Sequence, residues 1–343
     1  MPGGAKRNRE PVGVVIPTRD RWPLMRTALA SALAQEGVET QVVVVDDGST
    51  DRTAAELEAL RDGRVRVLRH ERPEGVSAAR NHGLEQVTAP WVSFLDDDDV
   101  WAPGHLAAML DAVRAARGDG RPVGLVYSGH LVVDHERHPT NVSPAPPPDD
   151  VRHRMDRFNF VGCPSRVVLR TDAVRDLGGF DMALSIVADW DLWVRVVAEH
   201  GVVRCPELLV GYMLHEGNMH LDGDRFLDEL ALMQRKHGWD PALAVPGDVL
   251  PSFVAEAYRA SGRRVRAARW YLRAFRVQRT RRDLARAVGV LLGERAIELS
   301  GLRERTPVDP SLGRWLERIR RAERATTGLP ALHGARPDHA GRR

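Results

Sequence analysis

An α/β fold with a mostly parallel central sheet, followed by an all-helical C-terminal extension, is the class that this sequence predicts. Three observations carry it. Short β-branched runs alternate with helical stretches through the first half, the pattern of βαβ units. Val42-Val43-Val44-Val45 is apolar on both faces, as a strand inside a parallel sheet must be. From about Asp222 onward, apolar residues recur only at helical spacing.

The elements follow in order. Val12 to Ile16 forms a first strand, ended by Pro17-Thr18. Leu24, Ala28 and Ala32, with Met25, Leu29 and Leu33, mark a helix over 24–33. After the second strand at 42–45, Asp51 caps a helix whose apolar face holds Ala54, Leu57 and Leu60. A third strand at 65–68, a helix at 77–87 and a fourth strand at 91–95 complete the alternation. A helix over 103–116 has proline in its first turn, and 123–133 is extended. The polar stretch 134–160, with Pro144-Ala145-Pro146-Pro147-Pro148, reads as a mobile surface loop. Strands at 166–169 and 208–214 flank a helix at 189–200. Helices then follow at 224–236, 251–260, 263–277, 282–299 and 310–324. The organisation expected is a disordered N-terminus (1–10), an α/β domain (11–221), a helical region (222–325) and a disordered tail (326–343).

Composition excludes several classes. A chain of 343 residues, 43% hydrophobic and 28% charged, buries a substantial core. Cys163 and Cys205 make neither a disulfide framework nor a zinc site. No apolar run approaches the roughly 20 residues of a membrane span, and MPGGAKRNRE has no apolar core of a secretory leader. The expectation is a soluble, reduced, cytoplasmic protein. Net charge of +3 gives no reason to expect nucleic acid as a partner. Ten arginines stand between Arg263 and Arg286 against the single acid Asp283, yet the chain has only Lys6 and Lys236 as lysines. Arginine codons of a GC-rich genome account for that choice of residue.

In open α/β sheets, ligands bind in the crevice beyond the carboxyl ends of the strands. Here those ends are Pro17-Thr18-Arg19, Asp46-Asp47-Gly48-Ser49 and Asp96-Asp97-Asp98-Asp99. Neither G-x-x-x-x-G-K-[ST] nor G-x-G-x-x-G follows a strand, so a bound nucleotide would be held by carboxylates and a metal. Four consecutive aspartates repel one another unless a cation neutralises them, and Mg²⁺ or Mn²⁺ takes oxygen ligands. An isolated acidic run is more often a solvated turn; its place directly after WVSFL, beside a second acidic strand end, favours binding. Asp46 to Ser49 reads equally well as a plain turn.

Downstream, Gly178-Gly179-Phe180-Asp181 permits a sharp turn. Asp189, in Asp189-Trp190-Asp191-Leu192-Trp193, reads first as a helix cap. Its second reading is a general base, a carboxylate whose pKa burial among tryptophans raises. His215 follows the last strand, and a lone histidine is commonly structural. His130, His135, His138 and His153 lack metal-site spacing, and Asn141-Val142-Ser143 is a chance sequon.

Taken in order, VGVVIPTRDR, VVVVDDGSTD, GVSAARNHGLEQVTAPWVSFLDDDD, LGGFD, DWDLWVR and the late histidine resemble the family 2 glycosyltransferases. These are inverting, nucleotide-sugar-dependent enzymes with the GT-A fold, a Rossmann-like sheet, and the resemblance covers roughly residues 11–220. It implies that Pro17 and Thr18 border the nucleobase, that Asp47 bonds the base and that Asp46 supports it. Arg80 and Asn81 match the Arg-Asn of the donor-site helix. Asp96 and Asp98 match the outer carboxylates of the D-x-D element. Asp98 would ligate Mn²⁺ or Mg²⁺, with Asp96 or Asp97 nearer the ribose. Asp189 matches the catalytic base, and His215 the histidine near the metal or diphosphate. From position, Cys163, Ser165, Gly179 and Trp190 would shape an acceptor pocket.

The resemblance also implies a nucleotide-sugar donor, UDP-sugars being the family's commonest, and a glycan, lipid-linked, peptide or small-molecule acceptor. Two positions depart from the pattern: Ala188 stands where the family most often has Glu, and Arg19 where it often has an aromatic. A sugar nucleotidyltransferase would need a glycine-rich basic loop after strand one, which Pro17-Thr18-Arg19-Asp20 is not. A non-catalytic sugar-nucleotide scaffold would be favoured by loss of Asp98 or Asp189, and both are present. The segment 263–277 mixes arginines with Val265, Trp270, Tyr271, Leu272 and Phe275. It reads first as a packed helix with a solvated arginine face. Its second reading is a peripheral contact with the inner face of an anionic membrane, and its third an anionic-acceptor site.

Overall fold

The computed structural model describes residues 9–116, 120–215, 218–239, 250–292 and 308–327. The chain opens as β1 (Pro11–Thr18), α1 (Trp22–Leu33), β2 (Glu39–Asp46), α2 (Thr53–Ala59), β3 (Val65–Arg69), α3 (Val76–Glu85) and β4 (Trp91–Phe94). These strands pair in parallel in the order β3-β2-β1-β4. After β3 the chain crosses back over β2 and β1 to lay down β4, so the strand order reverses at β1. A crevice beyond the carboxyl ends of β1 and β4 follows from that reversal.

The second half adds β5 (Val100–Trp101), α4 (His105–Ala115), β6 (Val123–Val133), β7 (Pro139–Ser143), α5 (Pro148–Arg154), β8 (Val167–Arg170), α6 (Thr171–Asp176), α7 (Ala188–Glu199) and β9 (Gly201–Met213). β8 runs antiparallel between β4 and β6, β9 runs parallel to β6, and β5 closes the edge antiparallel to β9. The sheet is therefore mixed, with its parallel half carrying the crevice. Helices α8 (Gly223–His237), α9 (Leu250–Ala260), α10 (Arg264–Gln278), α11 (Arg281–Leu292) and α12 (Arg314–Thr327) complete the described chain.

Alternation along the strands divides the core between the two sheet faces. Val15, Val43, Val45 and Phe94 pack with α3, α7 and the helices α8 to α10. Val14, Ile16, Val42 and Val44 face the other way, onto α1 and α4. Phe226, Leu230, Val254, Tyr258 and Tyr271 share one cluster with Trp190 and Trp193. The change to all-helical structure near residue 222 is thus crossed by a continuous core.

The stretch 134–160 is not the mobile loop its composition predicts. His130 to Val133 of β6 pair with β7, and α5 follows. Ala145, Val151, Met155 and Val161 are buried, and the Tyr127 hydroxyl donates to the Pro146 carbonyl at 2.6 Å. These anchors are too widely spaced to print a helical or strand period. The two-residue β5 and six-residue α6 are too short to do so. The helix expected over 282–299 is described as far as Leu292, and α12 runs to Thr327. The expectations of disorder for residues 1–8 and 328–343 lie outside the described residues.

Candidate active site

The strand register brings the three polar strand ends together. Thr18 pairs with Asp46 across β1 and β2, and Val15 with Phe94 across β1 and β4. Asp96 to Asp99 therefore leave the sheet beside Thr18, whose hydroxyl donates to Asp97 Oδ2 at 2.8 Å. Arg21, just before α1, reaches Asp97 Oδ1 at 3.2 Å and Asp98 Oδ2 at 3.1 Å through one guanidinium nitrogen. His215 Nε2 lies 2.9 Å from the same Asp98 oxygen. Arg80 of α3 donates to Asp96 Oδ1 at 2.6 Å. Asp99 is fully buried and accepts the Met213 N–H at 3.0 Å. Behind the cluster the buried Arg137 donates to the Asp98 carbonyl at 2.6 Å.

Mutual repulsion is thus met by three guanidinium groups. Burial, then the Asp98 charge, pushes Asp97 up to about 7. Burial likewise raises Asp96, against the pull of Arg80, and lifts Asp99 well above the carboxylate range. Arg21, Arg137 and the way they neutralise the rim were not legible in the sequence. Arg137 sits at φ +61° inside the supposed loop, 39 residues from its partner. Arg21 had one signal, the demand of four aspartates for a cation near the neighbouring strand end. Arg21→Ala leaves Asp97 and Asp98 facing each other without that cation. Its melting temperature in EDTA is expected to fall by the equivalent of about 1 kcal/mol, and added Mn²⁺ to raise it more than in wild type; equal metal shifts would show that Arg21 does not share the metal's position.

At the other strand end, Asp47 Oδ1 accepts the Glu74 N–H at 2.8 Å and lies 2.8 Å from His70 Nδ1, while Oδ2 accepts the Gly75 N–H at 2.9 Å. Burial raises this carboxyl, yet the hydrogen bonds outweigh it and hold the group below its ordinary value. His70 Nε2 in turn lies 2.9 Å from His82 Nδ1. Asp46 Oδ1 accepts the Ser49 N–H at 2.9 Å and so shapes the turn. Pro17 is buried in β1.

Asp189 stands in the first turn of α7, half-buried. Its Oδ1 accepts the Trp190 N–H at 2.7 Å and its Oδ2 the Asn159 amide at 3.3 Å; the N-cap position itself is Val187, so Asp189 is not the cap that the sequence suggested. Burial nevertheless pushes the carboxyl up to about 7, with Arg80 the main opposing influence. Arg80 therefore acts on both Asp96 and Asp189, and links the acidic rim to the α7 carboxylate.

Ala188 is fully buried, and the α7 start is secured from another element. Glu229 of α8 accepts the N–H groups of Ser185 (2.9 Å), Ile186 (2.7 Å) and Val187 (3.3 Å). Asp191 is buried within ion pairs to Arg195, Lys236 and His237. Burial raises it, but those partners hold it down to about 2. Glu229 and Lys236 escaped sequence reasoning because their partners lie more than 40 residues away.

Four candidates are engaged in contacts within the fold. Trp190 is only 2% exposed, and its indole N–H donates to the Met155 carbonyl at 2.6 Å, so the ring packs in the core. Ser165 is fully buried and its hydroxyl oxygen accepts the Asp96 N–H at 3.1 Å, so it positions the rim. Both polar atoms of the Asn81 amide are engaged with the Phe180 backbone at 2.8 Å. That clamp requires Gly179, at φ +71°, where a Cβ would come within 2.5 Å of Asn81 Oδ1. Gly179→Ala is expected to lower stability by about 2–3 kcal/mol, read as the midpoint of urea unfolding; an unchanged midpoint would mean the clamp is dispensable. Cys163 is half-buried beside the site, with burial raising its thiol.

A sheet that reverses order at an acidic, arginine-bridged rim defines an α/β protein that takes its ligand at the strand ends. The model of glycosyl transferase family 2 matches residues 13–178. Nearly half of the chain thus resembles that family, and the fold is of the GT-A type. It is 34% identical over 227 residues to the succinoglycan biosynthesis protein ExoO of Rhizobium meliloti, covering 60% of this chain and 63% of the relative. It is 21% identical over 250 residues to a UDP-Glc:alpha-D-GlcNAc-diphosphoundecaprenol beta-1,3-glucosyltransferase, WfgD, of Escherichia coli, covering 72% of this chain and 89% of the relative. The chain spans just under two thirds of the length of the first curated relatives it matches. Among solved structures, a Pyrobaculum calidifontis mannosyltransferase superposes with a TM-score of 0.51 at 19% identity, over 93% of this chain and 87% of the other. No helix among the described residues is long and apolar enough to cross a membrane.

Proposed function

We propose that the chain transfers a sugar with inversion from a nucleotide-sugar donor, a UDP-sugar foremost, to a hydroxyl of a lipid-linked or polymeric glycan. The observation that carries this is Arg80, which bonds Asp96 on the rim and lowers the pKa of Asp189 on α7. The guanidinium bonded on the donor side also acts electrostatically on the base side. Pro17, Thr18, Asp46 and Asp47 border the nucleobase, and Arg80, Asp96 and Asp97 face the ribose and diphosphate. Asn81, through its clamp on Phe180, holds the turn beside them.

Among the described residues no group of three or more His, Cys, Asp or Glu side chains is arranged as a metal cage. Asp98 and His215, 2.9 Å apart, supply a carboxylate oxygen and an imidazole nitrogen, a pair that fits a cation completed by donor oxygens. The nitrogen favours Mn²⁺ over Mg²⁺, which takes oxygen ligands. When bound, the metal stabilises charge on the departing diphosphate. Asp189 accepts the proton of the attacking hydroxyl, and a single displacement inverts the anomeric centre. The named activity of WfgD supports a UDP-sugar and a lipid-diphosphate acceptor, and the mannosyltransferase, solved with GDP-Man and Mn²⁺, supports the metal.

Release of nucleoside diphosphate from UDP-, GDP- and dTDP-sugars, with Mn²⁺, Mg²⁺ or EDTA, tests the reading. Slow release from UDP-sugars with Mn²⁺, abolished by EDTA, is expected. Absence of release and of any thermal shift with every donor would overturn it in favour of a non-catalytic scaffold.

A further inference from the structure

We infer that α10 and α11 form a docking surface for an anionic lipid bilayer. The inward faces of these helices are settled: Ala267, Ala268, Tyr271 and Ala274 of α10 are buried, as are Ala287 and Val290 of α11. The outward faces combine two properties seldom found together. On α10, Val265, Arg269, Leu272 and Arg276 follow one another at helical spacing, all exposed. On α11, Arg281, Leu284, Val288 and Leu291 do the same. Val265, Val288 and Leu291 are each more than half exposed, at 59%, 52% and 54%. Apolar side chains left in water at this density mark a contact surface.

Charge identifies the partner. The stretch from Arg263 to Arg286 carries ten arginines and one acid, in a chain whose net charge is only +3. That acid, Asp283, is buried against Thr280. Arg263 and Arg266 pair with Asp224, and Arg286 faces Glu256. The side chains of Arg264, Arg269, Arg276, Arg279, Arg281 and Arg282 make no ion pair or hydrogen bond with another described residue. Genome composition explains arginine in place of lysine, but neither the missing acids nor the exposed valines and leucines between the arginines. A second copy of the chain would bring like charges together. A soluble polyanion would leave the apolar residues in water. An anionic membrane satisfies both, since its headgroups take the guanidinium groups and its acyl boundary takes the Val and Leu side chains.

The test is co-flotation of the full chain with vesicles of phosphatidylcholine alone or with about 30% phosphatidylglycerol, at roughly 0.1 and 0.5 M salt. Neither donor nor acceptor is present, so the outcome is independent of the transferase reading. Partitioning at least tenfold higher onto anionic vesicles, and weakened by salt, is expected. Arg269→Glu with Arg276→Glu should lower it by more than tenfold. Leu284→Ser with Val288→Ser should weaken binding while keeping its salt dependence. Both variants alter exposed residues away from the site, so melting temperature and donor hydrolysis should match wild type. Equal binding to neutral and anionic vesicles, or unchanged binding in both variants, would overturn the inference. So would self-association seen by light scattering and lost in Leu284→Ser with Val288→Ser, without vesicle binding.

Discussion

Asp189→Asn is expected to lower the rate of sugar transfer by about 10²- to 10⁴-fold, the usual worth of a general base, while leaving the donor-induced thermal shift intact. The carboxylate receives the acceptor's proton, and the isosteric amide cannot. Because burial pushes Asp189 up to about 7, kcat/KM of wild type should rise with pH through that value as the base form appears. Arg80→Gln removes the guanidinium that opposes this upshift, so the acid limb should move to higher pH. A limb that stays in place would show that Arg80 does not act on Asp189. The sign for stability follows from the same shift. A carboxyl raised above its unfolded value of 3.8 costs almost nothing below about pH 3, where both states are neutral, and its cost grows as pH rises from there towards 7. Asp189→Asn should therefore be more stable than wild type at pH 8, by on the order of 2 kcal/mol for a half-buried group, and no more stable below about pH 3.

Asp98→Ala should abolish the metal dependence of both donor binding and hydrolysis. In wild type, Mn²⁺ with UDP at about a hundredfold excess over the dissociation constant stabilises by about 2.7 kcal/mol, which differential scanning fluorimetry resolves. The variant should show no gain from Mn²⁺, and hydrolysis should fall by more than about 10²-fold. In EDTA it should melt no lower than wild type. Asp98 raises the pKa of Asp96, Asp97 and Asp99, so its removal relieves repulsion. The Arg137 contact is to the backbone carbonyl and survives. A metal shift retained in Asp98→Ala would move the cation to another carboxylate of the rim.

These residues were legible in the sequence for one physical reason. Strands buried on both faces, such as β1 and β2, print as apolar runs, and the polar residues ending them must lie on one rim of a parallel sheet. Thr18, Asp46 and Asp96 to Asp99 are visible on that ground. What the sequence hid is pairing over distance. Glu229 bonds the N–H groups before α7 from α8, and Arg137 reaches Asp98 from a stretch that prolines made look unstructured. The burial of Trp190 was hidden too, because an aromatic beside a candidate base looks the same in sequence whether it is buried or exposed. The clamp of Asn81 on Phe180 spans 99 residues, beyond any local pattern.

The anomeric configuration of the first product tests the single-displacement account most directly. Proton NMR at early times, with an α-linked UDP-sugar, Mn²⁺ and water as acceptor, distinguishes the two anomers before they equilibrate. With a single displacement the β anomer appears first, and Asp189→Asn releases it far more slowly. Initial release of the α anomer would contradict it, since retention requires a second nucleophile that this assignment of Asp189 does not provide.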